Sequence, residues 1–242
     1  KDIASSIQVV LEETAFALVR KLRADSGCDA ICLAGGVALN SCFNGKVLSD
    51  TEFSDMFIQP AAGDSGTALG ACYHIYHNVL GFPRSFEMKH AYTGPSFDNG
   101  VVQNALDANS LHYQTLETDV LARKVAELLA KGKVVGWFQG RMEWGPRALG
   151  NRSIITDPRD EQMKDVLNSR IKHRERFRPF APSIIGEATG EYFDQSYPVP
   201  FMLKVYGVRP DKRSELAAVT HVDGTGRLQT VDKTSSPLFY EL

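Results

Sequence analysis

Residues 134–153 combine a glycine-rich turn with arginine side chains that could bind an anion. The segment begins as an apolar run and ends in a glycine-rich turn that presents Arg141, Arg147 and Arg152. Glycine lets the backbone approach a ligand closely, and arginine offers a planar fork of donors to phosphate or carboxylate. The segment is therefore suited to a phosphorylated or mixed-anhydride substrate. The alternative interpretation is a solvated, arginine-rich loop.

A second cationic segment covers residues 170–178 and runs directly into an apolar stretch that contains Pro179 and Pro182. Clustered cations beside buried chain need an anion to neutralise them. The whole chain has 27 Lys+Arg against 29 Asp+Glu, whereas a protein that binds nucleic acid is usually basic overall. We therefore expect a local pocket for a small anion and no nucleic-acid partner.

Two glycine-containing turns in the first third of the chain each follow a short apolar run and precede a predicted helix. Gly35-Gly36 forms the first turn and Gly63-Asp64-Ser65-Gly66 the second. Backbone amides at such a turn, together with the new helix N-terminus, attract negative charge. Asp64 could coordinate a metal or orient a nucleotide phosphate through one, and the alternative is a helix N-cap.

The spacing of apolar residues predicts the elements that position these segments. Strands alternating with helices in the first third indicate a parallel α/β arrangement, whose two strands need further strands from elsewhere to cover both faces. Helices are predicted over 4–24, 40–48, 67–77, 100–108, 119–131 and 161–171. Strands and β-like segments are predicted at 30–34, 56–60, 111–116, Val134, 201–205 and 228–231.

The composition is that of a soluble globular protein, with 242 residues, 43% hydrophobic and 23% charged. The sequence has neither an apolar run of membrane-spanning length nor a signal peptide at its start, so we expect a cytoplasmic protein without a membrane partner. The chain begins with Lys1 and enters a helical pattern at once. We interpret it as a piece of a longer protein.

Cysteine and histidine are the remaining residue types that could carry chemistry. The cysteines lack zinc-site spacing and are predicted to be small, buried, free thiols in a reducing compartment. His74 and His77 share a helical face, but the helix supplies no further ligand, which favours a structural role. The four cysteines are Cys28, Cys32, Cys42 and Cys72.

Five stretches of the sequence resemble one family, the ATP-dependent O-carbamoyltransferases of the nodulation-protein, cephamycin and tobramycin type. They occur in the expected order and span about residues 30–231. The long third stretch is specific to this family, and the first two are shared with actin-like ATPases, which include proteins that make threonylcarbamoyl-adenosine in tRNA. The stretches are LAGGVALN, IQPAAGDSGTALGA, GWFQGRMEWGPRALGNRSI, FRPFAPSI and THVDGTGR.

The resemblance implies an α/β and α+β architecture with two truncated domains. Residues 1–83 resemble the C-terminal part of an actin-like (Kae1-like) nucleotide and metal domain, 84–97 a linker, and 98–242 an incomplete YrdC-like domain. In the family, carbamoyl phosphate and ATP give carbamoyl-adenylate and pyrophosphate in the second domain. The carbamoyl group then passes to a hydroxyl of a sugar-like or antibiotic-like acceptor at the first domain, aided by a metal.

The resemblance also implies which residues form the sites. The implied cofactors are ATP and a divalent metal, iron or magnesium, whose paired histidines belong upstream. We therefore expect this chain to hold an incomplete metal site and to be inactive alone. The implied metal ligand is Asp64. The implied catalytic residues are Arg147, Arg152, Arg178 and His221. The implied nucleotide and cofactor contacts are Gly35, Gly36, Asn40, Lys172, Arg174 and Arg227.

Two other functions stay open from the sequence. One is a tRNA-directed transferase of the threonylcarbamoyl type, which the balanced charge and the specific arginine–glycine stretch disfavour. The other is a nucleotide-binding module without chemistry, which Gly35, Gly36 and Asp64 alone would allow but which leaves the cationic segment unexplained. The acceptor and the oligomeric state cannot be read from the sequence.

Overall fold

The computed structural model describes residues 2–242, which form two compact units. Residues 2–85 and the short segment Leu203–Val205 form the first unit. Phe86–Met202 and Tyr206–Leu242 form the second unit. No helix within residues 2–242 is long and apolar enough to cross a membrane.

The first unit is a small parallel α/β structure, as the sequence predicts. Its two strands pair in parallel, from Ala30 beside Asp55 to Leu33 beside Ile58. A 3-10 turn follows each strand, at Gly36–Leu39 and Asp64–Gly66. The regular elements are α1 (Asp2–Ser26), β1 (Ala30–Leu33), α2 (Ser41–Asp50), β2 (Asp55–Ile58) and α3 (Thr67–Tyr73), with a π-helical turn at His74–Val79.

The core of the first unit lies between α1, α2 and the two strands. Phe16 on α1 meets Phe43 on α2 edge to face, with ring centroids 5.1 Å apart, and Val47 is fully buried beside them. Aromatic pairs of this kind add stability beyond the area that they bury. On α1 only Phe16 and Val19 are buried, so this aromatic contact joins α1 to α2.

None of the four cysteines forms a disulfide within residues 2–242, but all are exposed, so the prediction of buried thiols is wrong. Cys32 shows the reason. Alternate residues of a strand point to opposite faces, and on β1 the side chain of Ile31 is buried whereas that of Cys32 is exposed. A sheet with two strands covers only one of its faces here, so the thiol on the other face stays accessible.

The second unit combines two small sheets with short helices. β3 and β4 pair antiparallel, with Trp137 opposite Ser153. The other sheet has the order β5-β7-β6, and its β5 and β7 are parallel. The elements are α4 (Asn99–Ala108), α5 (Thr118–Ala130), β3 (Val135–Phe138), β4 (Arg152–Ile155), α6 (Met163–Val166), β5 (Ser183–Ile185), α7 (Thr189–Tyr192), β6 (Lys204–Gly207), β7 (Thr225–Val231) and α8 (Pro237–Glu241).

The core of the second unit consists of separate apolar clusters under these sheets. One cluster joins Trp137 of β3 to Val125 of α5 and Phe239 of α8. A larger one surrounds Tyr206 and Leu228. These clusters hold β4 and β7, and four predicted site residues lie on these strands or just before them, namely Arg147, Arg152, His221 and Arg227.

The sequence gets one element of the second unit wrong. Residues 111–116 form no strand, because no other segment among residues 2–242 pairs with them, and Leu111 and Tyr113 remain exposed. The last strand begins at Thr225, three residues before the predicted β-like segment at 228–231. The overall architecture is mixed α/β with small sheets, as predicted.

Candidate functional site

A cleft of about 890 Å³ lies within the second unit, a size that accommodates a nucleotide-sized ligand. Its walls come from β4, α6, the loop after α6 and β5. Six basic side chains line it, against three glutamates. The basic residues are Arg147, Arg159, Lys164, Lys172, Arg174 and Arg227, and the acidic ones are Glu191, Glu215 and Glu241.

Arg147 is one of the half-buried cations of this wall. Its Nε is inaccessible to solvent and has no hydrogen-bond partner among residues 2–242. Burial lowers the pKa of Arg147, but arginine still stays protonated at neutral pH. The hydroxyl of Thr156, also on the cleft wall, is buried without a partner in the same described range. Buried polar groups without a partner are costly, so this wall is prepared for a polar ligand.

The loop that carries Arg147 is held by its own side chains. Glu143 Oε1 accepts hydrogen bonds from the backbone N–H groups of Leu149, Asn151 and Arg152. Gly150 has a φ of +100°, and a Cβ at this position would lie 2.3 Å from the ring of Phe239. The glycine is required because both the backbone angle and the close ring exclude a larger residue.

The second cationic segment is held by Asn168, which is fully buried. Its side chain donates to the carbonyl of Arg178 (3.0 Å) and accepts from Nε of Arg174 (2.7 Å). The guanidinium of Arg174 lies 4.6 Å from the ring centre of Phe180. Arg174 and the exposed Lys172 both line the cleft, so the structure brings these two predicted residues together with Arg147.

Two predicted catalytic arginines do not line the cleft. The Arg152 guanidinium donates to the carbonyls of Gln139 (2.5 Å) and Asn151 (2.7 Å), and it stacks 3.6 Å above the ring of Phe138. Arg178 is exposed and pairs with Glu175 at 2.9 Å. The contacts of Arg152 indicate that it stabilises the chain around the start of β4. The assignment of Arg152 and Arg178 as catalytic residues stays a prediction.

His221 lies on the segment that leads into β7, and Arg227 lies within that strand. Nδ1 of His221 is 3.0 Å from Oγ1 of Thr225, whose hydroxyl contacts Asp223 at 2.7 Å. Burial lowers the pKa of His221, and the nearby charge of Arg227 acts in the same direction, whereas Asp223 opposes it. Arg227 lines the cleft, whereas His221 is not among the residues that line it.

In the first unit the two predicted turns are adjacent. The N–H of Gly35 donates to the carbonyl of Ala62 at 2.7 Å, which ties the turn after β1 to the turn after β2. Gly35 and Gly36 are both exposed, and the space beside their Cα atoms is open within residues 2–242. The carboxyl ends of parallel strands are where α/β proteins bind ligands.

Asn40, predicted to contact a nucleotide, has both ends of its amide engaged within the first unit. Its Oδ1 accepts from the N–H of Phe43 at 3.0 Å and so caps α2. Its Nδ2 donates to Gln8 at 2.9 Å. The side chain therefore stabilises the start of α2, and a ligand contact from it stays a prediction.

Asp64 is exposed at the start of its 3-10 turn, where Gly63 and not Asp64 is the N-cap. Within residues 2–242, no three His, Cys, Asp or Glu side chains are close enough together to hold a metal ion. Nδ1 of His77 lies 3.0 Å from the carbonyl of Phe82, as a structural role requires. The residues described do not make up the implied metal site, and no chemical step is derived through a metal.

Glu143, Asn168 and Thr156 are the residues that the sequence analysis missed. Glu143 and Asn168 form hydrogen bonds with backbone groups six to ten residues further along the chain, and no regular spacing in the sequence marks such contacts. Glu143 alone left a signal, because it is the only acid in a stretch that is otherwise cationic and glycine-rich.

The chain belongs to the carbamoyltransferase family. Residues 1–73 match the family described as carbamoyltransferase N-terminus, and residues 126–242 match the carbamoyltransferase C-terminus. The second match contains the cleft and all six of its basic residues. The first contains both glycine turns and Asp64.

Three relatives show how much of a longer protein is present. Nodulation protein NolO of Bradyrhizobium diazoefficiens is 44% identical over 247 residues, covering 100% of this chain and 45% of that protein. An uncharacterised protein of Synechocystis is 43% identical over 267 residues, covering 100% and 43%. The 3'-hydroxymethylcephem-O-carbamoyltransferase of Streptomyces clavuligerus is 36% identical over 210 residues, covering 87% and 38%. The chain spans less than half the length of these relatives.

Proposed function

We propose that the protein containing this chain transfers a carbamoyl group from carbamoyl phosphate, through carbamoyl-adenylate, to a hydroxyl of a small sugar-like or antibiotic-like acceptor. The observation that carries the proposal is the cationic cleft of the second unit, with Arg147 half-buried in its wall. Family membership supports carbamoyl transfer in general. The name of the Streptomyces relative supports a hydroxymethyl group as the kind of acceptor.

The cleft fits a reaction that brings two anions together. Atom balance requires one water: carbamoyl phosphate loses inorganic phosphate, and the resulting carbamate oxygen attacks the α-phosphorus of ATP and displaces pyrophosphate. The two reactants repel each other, and Arg147, Arg174 and Lys172 offset that repulsion from fixed positions on the wall. An enclosed site also protects a labile carbamoyl intermediate from water.

The first unit is proposed as the place where the carbamoyl group meets its acceptor. Its two adjacent turns present the N-terminal ends of short helical segments, which favour an anionic group such as a phosphate. We assign the first unit to the actin-like domain and the second to the YrdC-like domain on the resemblance. The assignment of iron or magnesium to the longer protein has the same basis.

The test is ATP–pyrophosphate exchange with the full-length protein. Exchange that depends on carbamoyl phosphate supports adenylate formation. Exchange that instead requires L-threonine and bicarbonate would favour the tRNA-directed alternative. Nucleotide binding without any exchange would contradict the proposal and leave a binding module.

A further inference from the structure

Glu143 lies at one end of the loop that carries Arg147, and the proposed chemistry does not use it. One oxygen of its carboxylate, Oε1, accepts from the N–H groups of Leu149 at 2.7 Å, Asn151 at 2.9 Å and Arg152 at 3.1 Å. A charged acceptor makes stronger hydrogen bonds than a neutral one. The two ends of the loop, at 143 and at 149–152, are therefore joined through a single side chain.

The other end of the loop, at Leu149, is held by further hydrogen bonds. The carbonyl of Leu149 accepts from Tyr92 Oη at 2.7 Å and from Gln229 Nε2 at 2.8 Å. Leu149 is 2% exposed and Gln229 is also 2% exposed, so these bonds lie away from water. The backbone N–H of Leu149 is thus bound by Glu143, and its carbonyl is bound by Tyr92 and Gln229.

Arg147, between these two ends, is not held by contacts of its own. Its Nε has no partner among residues 2–242, and its guanidinium forms no ion pair within that range. Arg141 and Arg152 of the same loop, in contrast, donate to backbone carbonyls. The position of a side chain without such partners is set by the backbone that carries it. The position of Arg147 therefore depends on how the two ends of the loop are held.

We propose that Glu143 is a positioning residue that places Arg147 on the cleft wall and acts on anion binding only through Arg147. The identity of the bound anion rests on the proposed function, whereas the dependence of anion binding on Glu143 does not. Truncating Glu143 leaves three N–H groups without their acceptor and frees the loop. Arg147 then binds an anion only after the loop has been ordered again, which weakens binding.

The experiment is a double-mutant cycle on the full-length protein, with pyrophosphate as the probe and calorimetry as the measurement. Glu143→Ala is expected to weaken pyrophosphate binding on the order of tenfold or more, the effect of leaving buried donors unsatisfied. In an Arg147→Ala background the same change should alter the dissociation constant by less than about threefold. An equal loss in both backgrounds would mean that Glu143 acts independently of Arg147, and the inference would be wrong.

Further variants separate positioning from folding. Glu143→Gln keeps a neutral oxygen acceptor in the same place, so it should bind pyrophosphate more tightly than Glu143→Ala and less tightly than wild type. If Glu143→Ala does not fold, Glu143→Asp takes its place in the cycle, because the shorter carboxylate cannot reach all three donors. Glu161→Ala removes an exposed carboxylate of the same unit as a matched control. A Gln variant as impaired as the Ala variant would overturn the inference.

The same measurements distinguish this inference from the proposed function. A wild-type protein that binds pyrophosphate with the expected coupling but lacks carbamoyl-phosphate-dependent exchange would contradict the function and leave the role of Glu143 standing. Normal exchange together with additive effects of the two substitutions would do the reverse. A wild-type protein that binds no pyrophosphate would overturn both.

Discussion

Arg147 differs from Arg141 and Arg152 in where its donors go. The guanidinium groups of the other two donate to backbone carbonyls and keep the loop in shape. That of Arg147 is on the cleft wall without an anionic partner among residues 2–242. The three arginines look alike in the sequence, so the sequence predicts an anion-binding loop but does not tell which arginine binds the anion.

At the residue scale we expect Arg147→Ala to lower kcat/KM for carbamoyl-phosphate-dependent pyrophosphate exchange. The loss of transition-state stabilisation should be roughly 2 to 5 kcal/mol, the range for losing one partner of a buried charge pair. Arg147→Lys should lose less, because it keeps the charge but not the fork of donors. Arg123→Ala, on the exposed face of α5, is the matched control. Unchanged exchange in Arg147→Ala would remove this residue from the site.

The helices and strands of the first unit follow the periodic spacing of their apolar residues. The sequence predicts α1, α2, β1 and β2 within a few residues, although on α1 only Phe16 and Val19 are buried and Ile3, Ile7 and Leu18 are exposed. The prediction fails at 111–116, where the pattern is strand-like but no segment among residues 2–242 pairs with it. Strand formation depends on a partner that is distant in sequence, and composition alone does not contain that information.

At the element scale, α2 depends on a glycine that the sequence does not mark. A Cβ on Gly45 would lie 2.0 Å from the carbonyl oxygen of Val205, which packs against α2 within the first unit. Asn44 next to it donates to the carbonyl of Leu203 at 2.9 Å. The pair Asn44-Gly45 therefore forms the contact surface of α2 for the segment 203–205.

Gly45→Ala should destabilise the full-length protein by about 1 to 3 kcal/mol, the usual range for overpacking, and lower its thermal midpoint. Gly70→Ala is the matched control, because Gly70 is exposed on a helix and a Cβ there would have no atom of residues 2–242 within 4 Å. Alanine in a helix is favoured over glycine by up to about 1 kcal/mol, so this control should be neutral or stabilising. A Gly45→Ala midpoint equal to that of wild type would show that 203–205 moves away without cost.

At the scale of the whole molecule, the predicted site residues fall into two groups on separate compact units. Arg147, Lys172, Arg174 and Arg227 line the cleft of the second unit. Gly35, Gly36 and Asp64 lie at the turns of the first. Adenylate formation and carbamoyl transfer should then respond to different substitutions, a division that the family resemblance implies and that the arrangement of residues within each unit supports.

Asp64→Asn tests that division in the full-length protein. Asp64 is exposed and belongs to the first unit, so its loss should leave carbamoyl-phosphate-dependent pyrophosphate exchange close to wild type. Acceptor-stimulated release of AMP should fall at least about tenfold, a loss that corresponds to about 1.4 kcal/mol or more of transition-state stabilisation. The acceptor used is any hydroxyl compound that stimulates AMP release by the wild-type protein. Asp107→Asn on the exposed face of α4 controls for the change in charge, and equal loss of both activities would mean that Asp64 supports the fold or serves both steps.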